Sequence, residues 1–324
     1  MRHVIFGESH GPAIGVVLEG VPAGVALELD FIAAELARRA PGGALATARK
    51  EPDVPEILSG VYEGKTTGTP LCAVIRNTDT HSSDYDDLKI HPRPSHADYT
   101  GKVRYGGHND PRGGGHFSGR LTAPLVFAGA VAKLILKERG VSVSAHISRL
   151  YGVDDPSPEQ QERLILAAKA DADSVGGCIR CAVTGLPAGA GGPDYGENVE
   201  GIFAQQMFAV PAVKGISFGA GFGFADLRGS EANDPFYMEN GVVKTKTNRA
   251  GGVNGGITNG MPVEFEVVLR PTPSIGREQD TVDLETGEDA KLIVHGRHDP
   301  CIVQRAVPVI EAAAALGACQ VLGI

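Results

Sequence analysis

The chain repeats itself. Gly20-Val21-Pro22-Ala23-Gly24 has a counterpart in Gly185-Leu186-Pro187-Ala188-Gly189, and upstream Ile14 falls over Ile179. A second pair of segments, 59–70 and 251–262, is identical at Gly60/Gly252, Val61/Val253, Gly64/Gly256, Thr66/Thr258, Gly68/Gly260 and Pro70/Pro262. An apolar strand follows each copy, Leu71 to Ile75 and Val263 to Leu269. A looser pair is His108-Asn109-Asp110-Pro111 with His298-Asp299-Pro300, each followed by an arginine (Arg120, Arg305), a proline (Pro124, Pro308) and a helix of small residues. Each half therefore reads strand, Gly-x-Pro-Ala-Gly turn, helix, strand, glycine loop, strand, polar loop, long helix. Repeats of this kind stack to bury a common core. The predicted fold is α+β, a β-α-β sandwich with internal pseudo-two-fold duplication, sheets outside and helices between. No linker rich in proline, serine or charge interrupts the 324 residues, so residues 1–324 read as a single domain with two related halves, about 1–150 and 151–324.

The expected helices are Phe31 to Arg39, Leu121 to Glu138, Glu200 to Phe208, Val309 to Cys319 and one running from Ser157 to about Ala172. Ser157-Pro158-Glu159-Gln160 opens the last of these as a capping box with proline at the first helical position. A formal net charge of −9 argues against general nucleic-acid binding, which needs a broad basic face. The apolar stretch around Leu121 to Leu136 is broken by Lys133 and reads as a core helix, too short to span a membrane. No signal peptide precedes Gly7, so a cytoplasmic location is expected. Cys178 and Cys181 form a Cys-x-x-Cys inside an apolar strand, with no second pair at zinc spacing, so all five cysteines read as buried small apolar residues and no metal is expected.

One repeat differs where chemistry is concerned. Gly7-Glu8-Ser9-His10-Gly11 lies over Ala172-Asp173-Ser174-Val175-Gly176, so the scaffold tolerates valine where the first copy has His10. That asymmetry marks His10 as a candidate for chemistry. His96, in the polar loop Arg93-Pro94-Ser95-His96-Ala97-Asp98-Tyr99, is a second imidazole able to exchange a proton near neutrality; His3, His81, His91 and His108 read as surface residues. Gly113-Gly114-Gly115, bracketed by Arg112 and Arg120, reads as a tight turn or an anion nest entering a helix. It fits neither a Walker nor a dinucleotide-binding pattern. The run Arg38, Arg39, Arg49, Lys50 reads as a solvated helix end. Arg297-His298-Asp299-Pro300 and Arg270-Pro271-Thr272-Pro273-Ser274 are each open between structure and binding.

Taken together, Phe6 to Gly11 with Gly20 to Gly24, Arg93 to Tyr99, the triple-glycine loop to Thr122, Ala250 to Gly260 and Gly296 to Cys301 resemble the chorismate synthase family along almost the whole chain. The resemblance implies a carbon–oxygen lyase that converts 5-enolpyruvylshikimate 3-phosphate to chorismate by 1,4-anti elimination of phosphate. It implies reduced FMN without net redox change, and a homotetramer. By the same resemblance His10 is the general acid at the leaving phosphate, His96 lies at the flavin N1/C2 carbonyl edge, and Asp299 lies near flavin N5. Arg39, Arg49, Arg112, Arg120 and Arg297 are the implied substrate cations. Phe117, Ser118, Ala212, Gly255, Arg270, Pro271, Thr272, Pro273, Ser274 and Arg297 are the implied flavin contacts. Relatives carry a third arginine where Ala40 stands and a basic residue near Ala44 or Leu45; His116-Phe117-Ser118 stands for Arg-Ser-Ser, and Pro211 for asparagine. Only six residues precede Gly7, which reads either as a clipped start or as a short first strand. No added reductase segment is legible, so the reduced flavin is expected from an external reductant or reductase rather than from NADPH oxidised on this chain. A flavin- or anion-binding protein without catalysis, and a different phosphate lyase on the same scaffold, are the alternatives.

Overall fold

The computed structural model describes residues 1–40, 53–78, 87–294 and 299–324. Its first half comprises β1 (Arg2–Gly7), β2 (Ala13–Glu19), α1 (Leu29–Arg39), β3 (Pro55–Ser59), the hairpin β4 (Val61–Tyr62) and β5 (Lys65–Thr66), and β6 (Leu71–Arg76). Two helices follow, α2 (Ala97–Arg104) and α3 (Thr122–Lys137). The second half opens with β7 (Ser142–Leu150), β8 (Val153–Asp154), α4 (Pro158–Ala170), β9 (Gly177–Thr184), α5 (Val199–Phe208), β10 (Val213–Phe218) and α6 (Gly229–Ala232). Three hairpin pairs and one strand come next: β11 (Phe236–Glu239) with β12 (Val242–Thr245), β13 (Val253–Asn254) with β14 (Ile257–Thr258), β15 (Val263–Leu269), and β16 (Gln279–Val282) with β17 (Asp289–Leu292). Helix α7 (Val303–Val321) ends the fold.

The large sheets are antiparallel, ordered β1-β2-β6-β3 and β10-β15-β9-β7-β8. Matching β1, β2, β6 and β3 to β7, β9, β15 and β10 reproduces the first order in the second sheet. The recurring motifs also share hydrogen bonds. The Thr66 hydroxyl donates to the Pro22 carbonyl at 2.6 Å, and the Thr258 hydroxyl to the Pro187 carbonyl at 2.6 Å. Gly24 N–H reaches the Thr66 carbonyl at 2.7 Å, and Gly189 N–H the Thr258 carbonyl at 2.8 Å. A buried hydroxyl must find a partner, and the shared Thr and Gly-x-Pro-Ala-Gly turn supply the same one twice.

Between the sheets, α3 lies on β2 and β6, α7 lies on β7 and β9, and the two helices pack on each other. Side chains of β9 alternate with period two, so Ile179, Cys181 and Val183 face the helices. Cys178 and Cys181 consequently point to opposite faces of one strand; Cys181, Cys301 and Cys319 are buried, while Cys72 and Cys178 are only partly covered. The α3–α7 crossing depends on Gly129: a Cβ there would stand 2.2 Å from the Ala312 Cβ. Lys133 interrupts the apolar α3 because it completes an ion cluster. It bonds Glu311 at 2.6 Å and also Glu35, while Arg38 bonds Glu35 at 2.8 Å and Glu311 at 2.6 Å. Glu311 also accepts the Ala145 N–H at 3.0 Å, tying the helices to β7.

The capping box of α4 is present in full, with Ser157 accepting from Gln160 N–H and Gln160 from Ser157 N–H. β1 pairs with β2 along its whole length. Three expectations change. Helix α7 starts at Val303, before Pro308: a proline this near the helix start removes one early hydrogen bond, and burial of nearly every α7 side chain outweighs that loss. Ala97 to Tyr99, read as the end of a polar loop, open helix α2. Arg38 and Arg39 are not a solvated helix end, because Arg38 joins the ion cluster and Arg39 is 3% exposed.

Candidate active site

The triple-glycine loop organises the site. Gly113, Gly114 and Gly115 all have positive φ (59°, 82° and 54°), a region open to glycine at little cost. Each lies against a different side chain. A Cβ on Gly113 would stand 2.1 Å from His10 Cε1; one on Gly114 would stand 3.3 Å from His96 Cε1; one on Gly115 would stand 2.9 Å from Glu8 Oε2. One loop thus packs against both His10, from the β1–β2 turn, and His96, at the N-cap of α2. The loop is not an open nest of donors: Gly114 N–H is bonded to the Pro111 carbonyl at 3.2 Å, and the Gly115 carbonyl accepts Ser9 N–H at 3.1 Å. His116 donates Nδ1–H to the Gly7 carbonyl at 2.9 Å and so fastens the loop to β1.

A continuous hydrogen-bonded chain runs from the His10 turn to Asp299. The Asn77 amide donates to the carbonyls of Glu8 at 3.0 Å and Gly11 at 2.8 Å, and its oxygen accepts Arg120 Nε at 3.2 Å. Arg120 and Arg39 share one carboxylate: Asp53 Oδ1 accepts from Arg120 Nη1, and Asp53 Oδ2 accepts Arg39 Nη1 at 2.6 Å. The Arg39 carbonyl accepts Arg305 Nε at 3.1 Å, and Arg305 Nη1 donates to Asp299 Oδ2. Three guanidinium groups thus gather around two carboxylates in a largely buried region. Burial pushes Arg39 down to about 10; Asp53 opposes that shift, and the charges of Arg305 and Arg120 add to it. Buried guanidinium groups of this kind are suited to hold a phosphate leaving group.

His96 belongs to a second network. Its Nδ1 lies 2.6 Å from Asp98 Oδ1, and Asp98 receives Arg93 Nε at 2.7 Å and Nη2 at 2.8 Å. Arg93 Nη1 donates to the Ser274 hydroxyl at 3.0 Å, which ties this network to the Arg270–Ser274 loop. Burial lowers the His96 pKa; the Asp98 hydrogen bond opposes this, and the charges of Arg93 and Arg270 assist it. Burial works to raise Asp98, yet hydrogen bonds from Arg93 and His96 carry it well below the usual carboxylate range.

The remaining site candidates fall into place unevenly. Arg112 is half exposed and closed on Asp110, at 2.9 and 2.8 Å. Those hydrogen bonds hold Asp110 below its ordinary range, with a smaller contribution from the His10 charge. Ser118 lies beside Gly114 and caps the turn Gly119–Leu121, accepting Arg120 N–H at 3.3 Å. The Phe117 ring packs on Gly101 of α2 and lies 6.2 Å from the Tyr105 ring. The Ala212 carbonyl accepts Arg270 N–H at 3.0 Å, Pro271 packs on Gly176, and the Pro273 carbonyl accepts the Gln279 amide. Gly255 sits at the tip of the β13–β14 hairpin, which is bonded to Ala190 and Val199. Arg49, Arg297, Lys50, Ala44 and Leu45 lie outside the described residues.

The residues fit a flavin phosphate. Thr272 Oγ1 is buried with no hydrogen-bond partner among the described residues, and neighbouring Arg270 faces no carboxylate among them. A bound anion would supply the missing partner to both. Sequence reasoning assigned no role to Asn77, Asp53, Arg93 or Asp98. Of these only Asp98 carried a signal, a carboxylate two residues beyond a candidate histidine.

Known proteins resemble this chain over nearly its whole length. The chain matches the chorismate synthase family over residues 1–322. It is 46% identical over 331 residues to the chorismate synthase of Thermococcus gammatolerans, covering 96% of this chain and 93% of that one. It is 47% identical over 312 residues to that of Chitinophaga pinensis, covering 96% and 91%. A crystal structure of chorismate synthase superposes with a TM-score of 0.76 at 28% identity, covering 99% of this chain and 91% of that chain. With the repeat, the paired imidazoles and these matches together, the chain belongs to the chorismate synthase family.

Proposed function

We propose that this chain is a carbon–oxygen lyase that releases phosphate from 5-enolpyruvylshikimate 3-phosphate by 1,4-anti elimination to give chorismate, in the presence of reduced FMN. The observation that carries the reading is the placement of His10 on Gly113, joined through Asn77 to the Arg120–Asp53–Arg39 cluster. Arg39 and Arg120 hold the substrate anions, with Arg49, Arg112 and Arg297 as further cations by family resemblance. His10 gives a proton to the departing phosphate. Asp299, steadied by Arg305, accepts and passes on the proton lost from the substrate ring. Arg270, Thr272 and Ser274 hold the flavin phosphate end, with Pro271, Pro273, Ala212, Gly255, Phe117 and Ser118 as further contacts, and His96 faces the ring system. When bound, the reduced flavin lends electron density as the phosphate leaves and recovers it afterwards.

A homotetramer is part of the same reading. Phe236, Met238 and Val243 stand exposed on one face of the β11–β12 hairpin, a face suited to cover by another copy. One domain with halves at about 1–150 and 151–324 is supported by the recurring strand order. A cytoplasmic site of action and an external flavin reductant complete the proposal.

The test is anaerobic incubation of the protein with the phosphorylated substrate and photoreduced FMN, monitored by chorismate absorbance and free phosphate. Both signals should rise together, and His10→Ala should bind flavin yet release phosphate about 10²–10⁴-fold more slowly. Flavin binding without phosphate release by the parent protein would support the non-catalytic alternative. Phosphate released without chorismate would point to another lyase reaction.

A further inference from the structure

His96 Nδ1 has two neighbours that make incompatible demands. Arg93 Nη2 lies 3.0 Å away and can only donate; Asp98 Oδ1 lies 2.6 Å away and can only accept while ionised. A ring nitrogen in the imidazole plane cannot serve both. The shorter contact to a charged acceptor is the stronger hydrogen bond. Arg93 is already satisfied by both Asp98 oxygens and by Ser274. Nδ1 therefore carries the proton, and in the neutral ring Nε2 carries the lone pair. Nε2 faces Gly114: a Cβ there would stand 3.4 Å from it.

We propose that Asp98, clamped by Arg93, is a positioning residue that fixes His96 as the Nδ1–H tautomer and presents Nε2 as a hydrogen-bond acceptor in the active site. This rests on His96 belonging to the site, as argued above. Arg93 and Asp98 are each 7% exposed, so neither has water to substitute for the other. The charged groups facing the ring are Asp98 and Arg93 from its own segment and Arg270 from the loop after β15. Both arginines disfavour a second proton, and burial acts the same way. Because Arg93 also holds Ser274, the clamp sets the orientation of His96 relative to the Arg270–Ser274 loop.

Asp98→Asn keeps the shape and reverses the demand on Nδ1. Arg93 continues to donate to the amide oxygen, which turns the amide N–H₂ toward the ring, so Nδ1 becomes an acceptor and Nε2 gains the proton. The same swap in a serine-protease triad preserves the geometry and lowers kcat about 10⁴-fold through the wrong tautomer.

The experiment is ¹⁵N NMR of histidine-labelled protein without flavin or substrate, with the His96 resonances assigned by their loss in His96→Gln. In the parent protein Nδ1 should show the shift of a protonated ring nitrogen and Nε2 that of an unprotonated one at about pH 7.5, above the ordinary imidazole range. Asp98→Asn should exchange the two, while Asp98→Glu should restore the original pattern at least in part. An Nε2–H tautomer in the parent protein overturns the proposal, and so does an Asp98→Asn protein that folds and keeps Nδ1–H. Were Asp98→Asn unable to fold, the parent spectrum would still decide the tautomer. Because no turnover is involved, failure of the lyase assay and failure of this test are separate events. In the active enzyme, Asp98→Asn should lower kcat about 10²-fold or more with KM little changed.

Discussion

His10 rests on Gly113 so closely that a Cβ at position 113 would stand 2.1 Å from its Cε1 and 2.2 Å from its Nδ1. No alternative residue type fits, since position 113 also has a φ of 59°. Gly113→Ala should therefore displace the imidazole. We expect phosphate release to fall about 100-fold or more, with a stability loss near the roughly 1–2 kcal/mol of a left-handed alanine. Steady-state rates and urea denaturation would check both, and a near-parental rate would show that His10 is not the acid.

Asp53 keeps two buried guanidinium groups in place. Removing its charge with Asp53→Asn leaves Arg39 and Arg120 with excess positive charge in a site closed to water. Breaking a buried pair in this way costs about 3–5 kcal/mol. Chemical denaturation should show a loss of that size, and a loss below about 1 kcal/mol would mean that solvent reaches the cluster.

Glu8 works against folding at neutral pH. Its carboxyl is raised above the ordinary 4.5, first by burial and then by Asp110, with His116 and Arg112 opposing. Its Oε2 has no hydrogen-bond partner among the described residues. A raised carboxylate pKa means that the native state binds the proton more tightly than the unfolded chain, so stability is lost as pH rises above 4.5. Glu8→Gln should accordingly raise the Tm near pH 8 and leave it unchanged near pH 4. Equal effects at both pH values would refute the electrostatic cause.

His96 and Asp98 make the fold acid-sensitive in two stages. The folded-state pKa of His96 lies below 6.5, so protons favour the unfolded chain as pH falls from 6.5 toward the folded value. Asp98 lies well below 3.8, so its contribution is intact above 3.8 and lost as pH falls beneath that. His96→Gln should flatten the first stage and leave the second. Unfolding free energies measured across the acid range would show whether the first slope disappears.

The α3–α7 crossing tolerates no added atom, given the 2.2 Å that a Cβ on Gly129 would leave to Ala312. Gly129→Ala should cost about 1–3 kcal/mol through overpacking, despite alanine's better helix propensity. A stabilised variant would mean that the helices can separate without penalty.

The recurring motifs were legible because both copies build the same turn from the same residue types. Thr66 and Thr258 each satisfy a turn carbonyl within their own half, so the residues that build the turn recur in the sequence with the turn. Apolar runs likewise marked β9 and β15, and Ser157 with Gln160 marked the start of α4, since a cap uses residues only three apart. Helix α2 was hidden because its polar sequence carries little amphipathic signal, and the start of α7 because Pro308 suggests a boundary that long-range packing overrides.

The amino-acid sequence alone determined the α+β class, the recurrence of its motifs and the choice of His10, His96 and Asp299 as candidates. Only the tertiary structure decided what surrounds them. Asp53 between Arg39 and Arg120, Asn77 beneath the His10 turn, and Arg93 reaching Ser274 are contacts between segments distant in the chain. Burial leaves such charges no water, so each must find its partner wherever the folded chain brings one within about 3 Å. That pairing depends on distance in space, and residue spacing along the sequence carries no record of it.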